Sequence, residues 1–206
     1  MLTELHEMTF FERKALKEGA HILVGIDEAG RGPLAGPVVA GACIFSEAIC
    51  LEGLTDSKKL SPKKRQHFLE IIKNHPLIHF AIGIIDAQRI DEINIYQATK
   101  EAMYQAVEGL SHTPDYLLVD GMNLPYQCGP SERIVKGDAR SFTIAAASIV
   151  AKETRDAIML DYDAKWPQYG FKKHKGYPTR QHIEALKEYG PCPIHRRSYK
   201  PVQDLL

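Results

Sequence analysis

Four acidic residues stand where β-rich runs of the chain give out. Val24-Gly25-Ile26 leads into Asp27 and Glu28, Leu117-Leu118-Val119 into Asp120, and Ile134-Val135-Lys136-Gly137 into Asp138. Neighbouring strands lie ~4.8 Å apart, so carboxylates at the ends of adjacent strands can meet at one point. Carboxylates gathered in this way resist ionising together, and a divalent cation removes the conflict. Oxygen ligands with no His or Cys close by in sequence suit Mg²⁺ or Mn²⁺ better than zinc. A pair of such ions can drive cleavage of a phosphodiester. Spacing alone leaves a second reading open, in which the four are ordinary strand-end acids facing water. Asp56, Asp86, Asp91 and Asp115 sit beside turn or helix-start residues and are expected to cap or turn the chain. Asp156 follows Arg155 and is expected to form a surface ion pair.

The first acids open a loop, Asp27-Glu28-Ala29-Gly30-Arg31-Gly32-Pro33-Leu34-Ala35-Gly36-Pro37. Its glycines are spaced G-x-G-x-x-x-G, and Pro33 and Pro37 forbid an opening helix, so it is not a dinucleotide fingerprint. No Gly-Lys-Ser/Thr follows, so it is not a P-loop either. It reads as a tight connection between two strands, or as a loop whose backbone comes close to a ligand. In the second case Arg31 is well placed to meet a phosphate.

Basic residues cluster at Lys58-Lys59 with Lys63-Lys64-Arg65, at Lys172-Lys173-His174-Lys175, and at Arg196-Arg197. The chain as a whole has 26 basic and 26 acidic side chains, so only these local faces could attract a polyanion. Phosphate backbones would bind there in a salt-sensitive way. Each cluster reads equally as solvated surface. Tyr177, in the turn Lys175-Gly176-Tyr177-Pro178, could stack on a sugar or base, or pack on its own domain. Trp166 reads as packing.

The elements that must position these residues follow from periodicity. His21–Ile26, Val38–Phe45, Ile78–Ile85 and Tyr116–Val119 read as strands, with Arg133–Val135 as a short fifth. Residues 4–18 suggest a short helix, and Ser61-Pro62 a helix start. The apolar spacing of Ile90, Ile93, Ala98, Ala102, Ala106 and Leu110 predicts a long amphipathic helix. Ile144–Lys152 reads as a buried helix opened by Ser141, and Thr179–Glu188 as a final helix stopped by Gly190. The sum is an α/β fold: a mixed sheet with helices on its faces, over residues 1–170, and a C-terminal helical extension, 171–206. At 206 residues the chain can bury a core without disulfides. Cys43, Cys50, Cys128 and Cys192 are scattered, as in a reducing compartment. The charged N-terminus has no signal-peptide core, and no apolar run spans a membrane. The expectation is a soluble, cytoplasmic protein.

The motifs together resemble bacterial ribonuclease HII. The resemblance rests on Gly25 to Ala40, Thr55-Asp56-Ser57-Lys58-Lys59-Leu60, Ile93-Asn94, Val119-Asp120-Gly121, Lys136-Gly137-Asp138, Ala145 to Lys152, Thr154-Arg155-Asp156 and His174-Lys175-Gly176-Tyr177, in family order. It implies a ribonuclease H-like fold with a C-terminal helical extension. It implies that Asp27, Glu28, Asp120 and Asp138 are the metal-binding acids, with Mn²⁺ or Mg²⁺. The two-ion hypothesis built on it puts Asp27 between the ions, Glu28 and Asp120 on one and Asp138 on the other. It implies that Gly30, Arg31 and Gly32 read the ribose 2′-hydroxyl through backbone contacts and that Tyr177 stacks on the following sugar. Lys58, Lys59 and Asn94 match positions near bound nucleic acid. The implied activity is cleavage of the RNA strand of RNA–DNA duplexes, including a single ribonucleotide embedded in a DNA duplex, on its 5′ side. The implied role is ribonucleotide removal in genome maintenance; a monomer is expected. The sister family ribonuclease HIII departs from Gly-Arg-Gly and carries an additional N-terminal domain. A non-catalytic nucleic-acid-binding module would need the basic clusters but not four strand-end acids.

Overall fold

The structure, a computed structural model, describes residues 8–46, 49 and 51–206. The start of the helix expected over 4–18 and Cys50 lie outside the described residues; α1 is Phe10–Lys17. Five strands, β1 (Leu23–Ala29), β2 (Val38–Phe45), β3 (Ile78–Ile85), β4 (Tyr116–Asp120) and β5 (Ser131–Ile134), form one sheet in the order β3-β2-β1-β4-β5. β1, β2 and β3 are antiparallel neighbours, whereas β4 pairs parallel to β1 and β5 parallel to β4. The sheet is therefore mixed, as the sequence predicts. β1 and β2 are buried on both faces, which is why they read as continuous apolar runs rather than alternating ones.

Helices supply that cover. On one face α3 (Ala87–Glu108) buries Ile90, Ala98, Ala102 and Met103 against Val24, Ile26, Ala40 and Ala42. On the other, α4 (Phe142–Lys165) packs Ala146, Ile149 and Val150 around Cys43, beside Phe68, Leu69 and Ile72 of α2 (Pro62–Asn74). The approach of α4 is close enough to require glycine beneath it: a Cβ at Gly41 would lie 2.5 Å from the Ala147 carbonyl. Ser61 starts α2 by accepting from Lys64 N–H, with Pro62 at the first helical position.

Three boundaries differ from the expectation. β1 continues to Ala29, so Asp27 and Glu28 lie in its last turn of pleat rather than beyond it. α4 runs to Lys165, beyond the expected Lys152; past Lys152 only Arg155 and Met159 are buried, so the apolar pattern that marks the first half does not continue. α3 is interrupted at Asn94, whose backbone stands at φ 67, ψ 162. The Asn94 side-chain oxygen accepts from Tyr96 and Gln97 N–H (3.0 and 3.1 Å) and restarts the helix as a cap.

Beyond α4 come α5 (Phe171–His174), α6 (Arg180–Tyr189), capped by Thr179 and ended at Gly190, and α7 (Lys200–Gln203). Phe171, Leu186, Ile194 and Val202 pack on Leu34 and Ala35 of the β1–β2 loop and on Met159 of α4. The C-terminal helices thus bear directly on the glycine loop. Among the described residues no helix is long and apolar enough to cross a membrane.

Candidate active site

Parallel pairing sets the level of the acids. Ile26 of β1 lies opposite Val119 of β4, so Asp27 and Asp120 leave adjacent strands side by side. β5 ends at Ile134. Lys136, in the left-handed region (φ 57), then turns the chain into a short 3₁₀ segment, Gly137–Ala139, that carries Asp138 back toward the other two. Carboxylate oxygens of Asp27, Asp120 and Asp138 all lie within 4.8 Å of one another. Gly137 makes this possible: its N–H donates to Asp120 Oδ1 at 2.6 Å, and a Cβ there would lie 2.6 Å from Ile144 Cδ1.

Glu28 stands beside this trio. Arg31 reaches its Oε1 at 3.3 Å, while Oε2 is buried without a hydrogen-bond partner. An orphaned buried carboxylate oxygen is costly unless a ligand completes it. Burial and the neighbouring Glu28 and Asp120 charges hold Asp27 well above the ordinary carboxylate range. Burial, with Asp56 and Asp120 nearby, pushes Asp138 up to about 6. Burial also raises Asp120, opposed by the Gly137 N–H, and raises Glu28, opposed by Arg31. Partial burial works against the Lys58 ammonium, yet Asp27, Asp138, Asp56 and Asp120 together keep it raised; its Nζ lies 3.8 Å from Asp138 Oδ2. The donor set is all carboxylate, in mutual repulsion and short of positive charge, and it fits a hard divalent cation.

This repulsion has a measurable consequence. Cation binding must displace protons from groups whose pKa is raised, so affinity should climb with pH through the range around Asp138's value and then level off. Calorimetric Mn²⁺ titrations in two buffers of different ionisation enthalpy should report more protons released at pH 6 than at pH 8. Equal release at both would contradict the raised carboxylates.

Asp27, Glu28, Gly30, Arg31, Gly32, Lys58 and Tyr177 line one cleft of about 540 Å³, together with Ser57, Ser148, Lys152 and Arg155. Lys59 is exposed in the adjoining turn, and Ile95 rather than Asn94 reaches the cleft wall. Tyr177 is 46% exposed. Sequence reading missed Asp56 and, on the cleft wall, Ser57, Ile95, Ser148, Lys152 and Arg155. Asp56 does turn the chain, accepting from Lys58 N–H at 2.8 Å, but it also faces Asp138. Ser148 and Lys152 lie four apart on α4, a spacing that puts both on one helix face, and this was the available signal.

Two basic clusters are corrected. Arg196 is fully buried and bonds backbone carbonyls, so it contributes to no positive face. His174 is buried and its pKa is lowered by that burial, leaving three lysines in the 172–175 cluster. Of the remaining acids, Asp86 caps α3 through Arg89 N–H, and Asp115 accepts from His21 and Ile22 N–H. Asp91 instead accepts from Arg197 and Ser198 N–H and ties down the C-terminal segment. Asp156 pairs with Lys152 at 2.6 Å, in a half-shielded rather than a surface position.

A five-stranded mixed sheet with an acid trio at or just beyond the ends of its parallel strands, Asp27 of which lines a cleft with basic and aromatic walls, defines a ribonuclease H-like nuclease. The comparisons narrow this class. The family model for Ribonuclease HII matches residues 24–202. The Ribonuclease HII of Chlamydia trachomatis serovar L2 is 54% identical over 198 residues, 96% of this chain and 91% of that protein. The ribonuclease H2 of Pyrococcus horikoshii OT3 superposes with a TM-score of 0.74 at 26% identity, covering 89% of this chain and 96% of that one. The RNase HII in the PCNA:RNase HII complex from Archaeoglobus fulgidus gives 0.73 at 26% identity, covering 86% and 95%. The chain belongs to the ribonuclease HII family. It is a type II ribonuclease H, an enzyme acting on RNA–DNA hybrids.

Proposed function

We propose that the enzyme cuts on the 5′ side of a ribonucleotide, including a single one embedded in a DNA duplex, with two Mn²⁺ or Mg²⁺ ions held by Asp27, Glu28, Asp120 and Asp138. The observation that carries this reading is the trio of carboxylates within 4.8 Å, beside the unpartnered Glu28 oxygen. Divalent cations held by these acids would neutralise them and supply Lewis-acid activation of the scissile phosphodiester and of an attacking water, for a 5′-phosphate product. The chain's own residues do the rest. Gly137 N–H holds Asp120 in orientation, and Arg31 does the same for Glu28. Lys58 offers a cation beside Asp138 for a backbone phosphate; Lys59, in the same turn, and Asn94 are assigned to the flanking nucleic acid.

Selectivity for ribose is assigned to the Gly30-Arg31-Gly32 backbone. Among the described residues the N–H groups of Arg31 and Gly32 donate to no other atom, and both residues line the cleft. Fixed donors that lose a 2′-hydroxyl go unpaired, at about 1–3 kcal/mol. Tyr177, half-exposed in the same cleft, offers its ring face to the next sugar.

The decisive assay uses a labelled DNA duplex with one embedded ribonucleotide, incubated with Mn²⁺, with Mg²⁺ and with EDTA. A metal-dependent cut 5′ of the ribose is expected. Cleavage confined to long RNA–DNA hybrids would overturn the single-ribonucleotide reading. Tyr177→Ala should lower kcat/KM on this substrate by roughly 5- to 100-fold, the worth of one stacking contact. An unchanged rate would remove Tyr177 from the site.

A further inference from the structure

The loop that carries Gly30, Arg31 and Gly32 is held from behind by a buried guanidinium. Arg196 is 0% exposed, and among the described residues no carboxylate pairs with it. Its donors are satisfied by the loop instead. Nη2 donates to Gly30 O (2.5 Å) and Gly36 O (2.9 Å), Nε to Gly36 O (3.0 Å), and Nη1 to Arg31 O (2.9 Å) and the Tyr199 hydroxyl (3.0 Å). The Tyr199 hydroxyl donates in turn to Arg31 O at 2.6 Å, and Arg196 N–H to Leu34 O at 2.8 Å.

A buried charge with no carboxylate in contact is expensive, and this one is held by hydrogen bonds to loop carbonyls that an apolar side chain would leave unpaired. What the guanidinium supplies is geometric: a rigid planar fork that fixes several carbonyls at once. The carbonyls of Gly30 and Arg31 are pulled inward, and the N–H groups of Arg31 and Gly32 are left without partners on the cleft side.

We propose that Arg196, braced by Tyr199, is a positioning residue that sets ribose selectivity by fixing the Gly30–Gly32 backbone. It touches neither substrate nor acids. This rests on the reading that the Gly30–Gly32 loop meets the 2′-hydroxyl. It makes the C-terminal segment part of the recognition machinery.

The test compares Arg196→Lys and Tyr199→Phe with the wild type in three measurements. These are kcat/KM on a duplex with one embedded ribonucleotide, the inhibition constant of an all-DNA duplex of the same sequence, and Mn²⁺ affinity by calorimetry. Tyr199→Phe, which removes one partly exposed hydroxyl, should lose about fivefold in kcat/KM, the worth of one hydrogen bond. Arg196→Lys, which cannot span the same carbonyls, should lose ten- to a hundredfold. All-DNA inhibition and Mn²⁺ affinity should stay within twofold, a separation that general loosening of the fold would not give. Wild-type kcat/KM in Tyr199→Phe overturns the proposal, whether or not Arg196→Lys folds. So does a parallel fall in all three measurements. If the wild type itself fails to cut the single ribonucleotide, the reading of the loop falls first, and the proposal with it.

Discussion

Asp27→Asn is expected to abolish cleavage and, in EDTA, to raise the melting temperature of the protein. The two effects have one cause. Asp27 is 3% exposed and sits within 4.8 Å of two other carboxylates, so its ionised form is disfavoured, first by burial and then by Glu28 and Asp120. A carboxylate whose pKa is raised on folding weakens the fold at every pH above its unfolded value, neutral pH included; the cost shrinks as pH falls below the raised value and is gone below the unfolded one. Asparagine has the same shape, can still accept from Glu28 N–H as Asp27 Oδ1 does at 2.7 Å, and carries no charge. Each kcal/mol recovered should raise the midpoint by roughly 2–4 °C in a chain of this size. Activity moves the other way, because the amide offers a cation much less than a carboxylate does. A loss of at least ~100-fold is expected, beyond what altering a mere supporting residue would cost. A variant as stable as wild type in EDTA, or one that keeps its Mg²⁺-dependent activity, would show that Asp27 is not part of a repelling, cation-holding cluster.

The same balance explains how much of the site was legible in the sequence. Strand ends could be read because apolar runs stop where carboxylates begin. Val38–Phe45 and Ile78–Ile85 emerge with the bounds expected, and Asp27, Asp120 and Asp138 converge as strand-end acids can. Registers could not be read, because nothing in one strand names its partner. The pairing of Ile26 with Val119, and the left-handed turn at Lys136 that returns Asp138, exist only in three dimensions. Asp56 was hidden for a related reason: its local role as a turn residue is real and conceals its distant neighbour. Arg196 was hidden by chemistry. Next to Arg197 it reads as surface charge, since arginine is almost never fully buried unless its donors are all met. Six carbonyls of one loop, four met by Arg196 and two by Arg155, are not visible in a string of letters.

Lowering the pH from 6.5 to 4 should loosen the turn that carries Tyr177, through two buried histidines that cannot accept a proton without breaking a bond. The Tyr177 carbonyl only accepts, so His182 Nδ1 donates to it (2.9 Å) and His182 Nε2 must be an acceptor. His195 Nε2, 3.0 Å away, fills that acceptor, and His195 Nδ1 then accepts from Cys192 N–H at 3.0 Å. Both rings are neutral, and every ring nitrogen is committed. A proton added at His182 Nε2 would face the His195 N–H; one added at His195 Nδ1 would displace the Cys192 N–H (3.0 Å) and have only the longer contact to Cys192 O (3.3 Å) to receive it. Burial, followed by the neighbouring histidines, lowers each ring to about 4 from the usual 6.5. The folded state therefore binds fewer protons than the unfolded chain between those values. The stability this contributes is complete above pH 6.5 and is lost as pH falls toward 4, at up to roughly 3 kcal/mol per ring. The acid trio acts in the opposite sense over the same range, because protonating raised carboxylates relieves repulsion. The difference between wild type and a variant is thus the informative quantity. His195→Gln, which can still donate to His182 Nε2 but does not titrate, should melt lower than wild type at pH 7.5 and show a shallower fall toward pH 4.5, the two curves converging. Parallel curves would mean that the rings titrate as they do in the unfolded chain, and that the turn bearing Tyr177 is held by something other than this histidine chain.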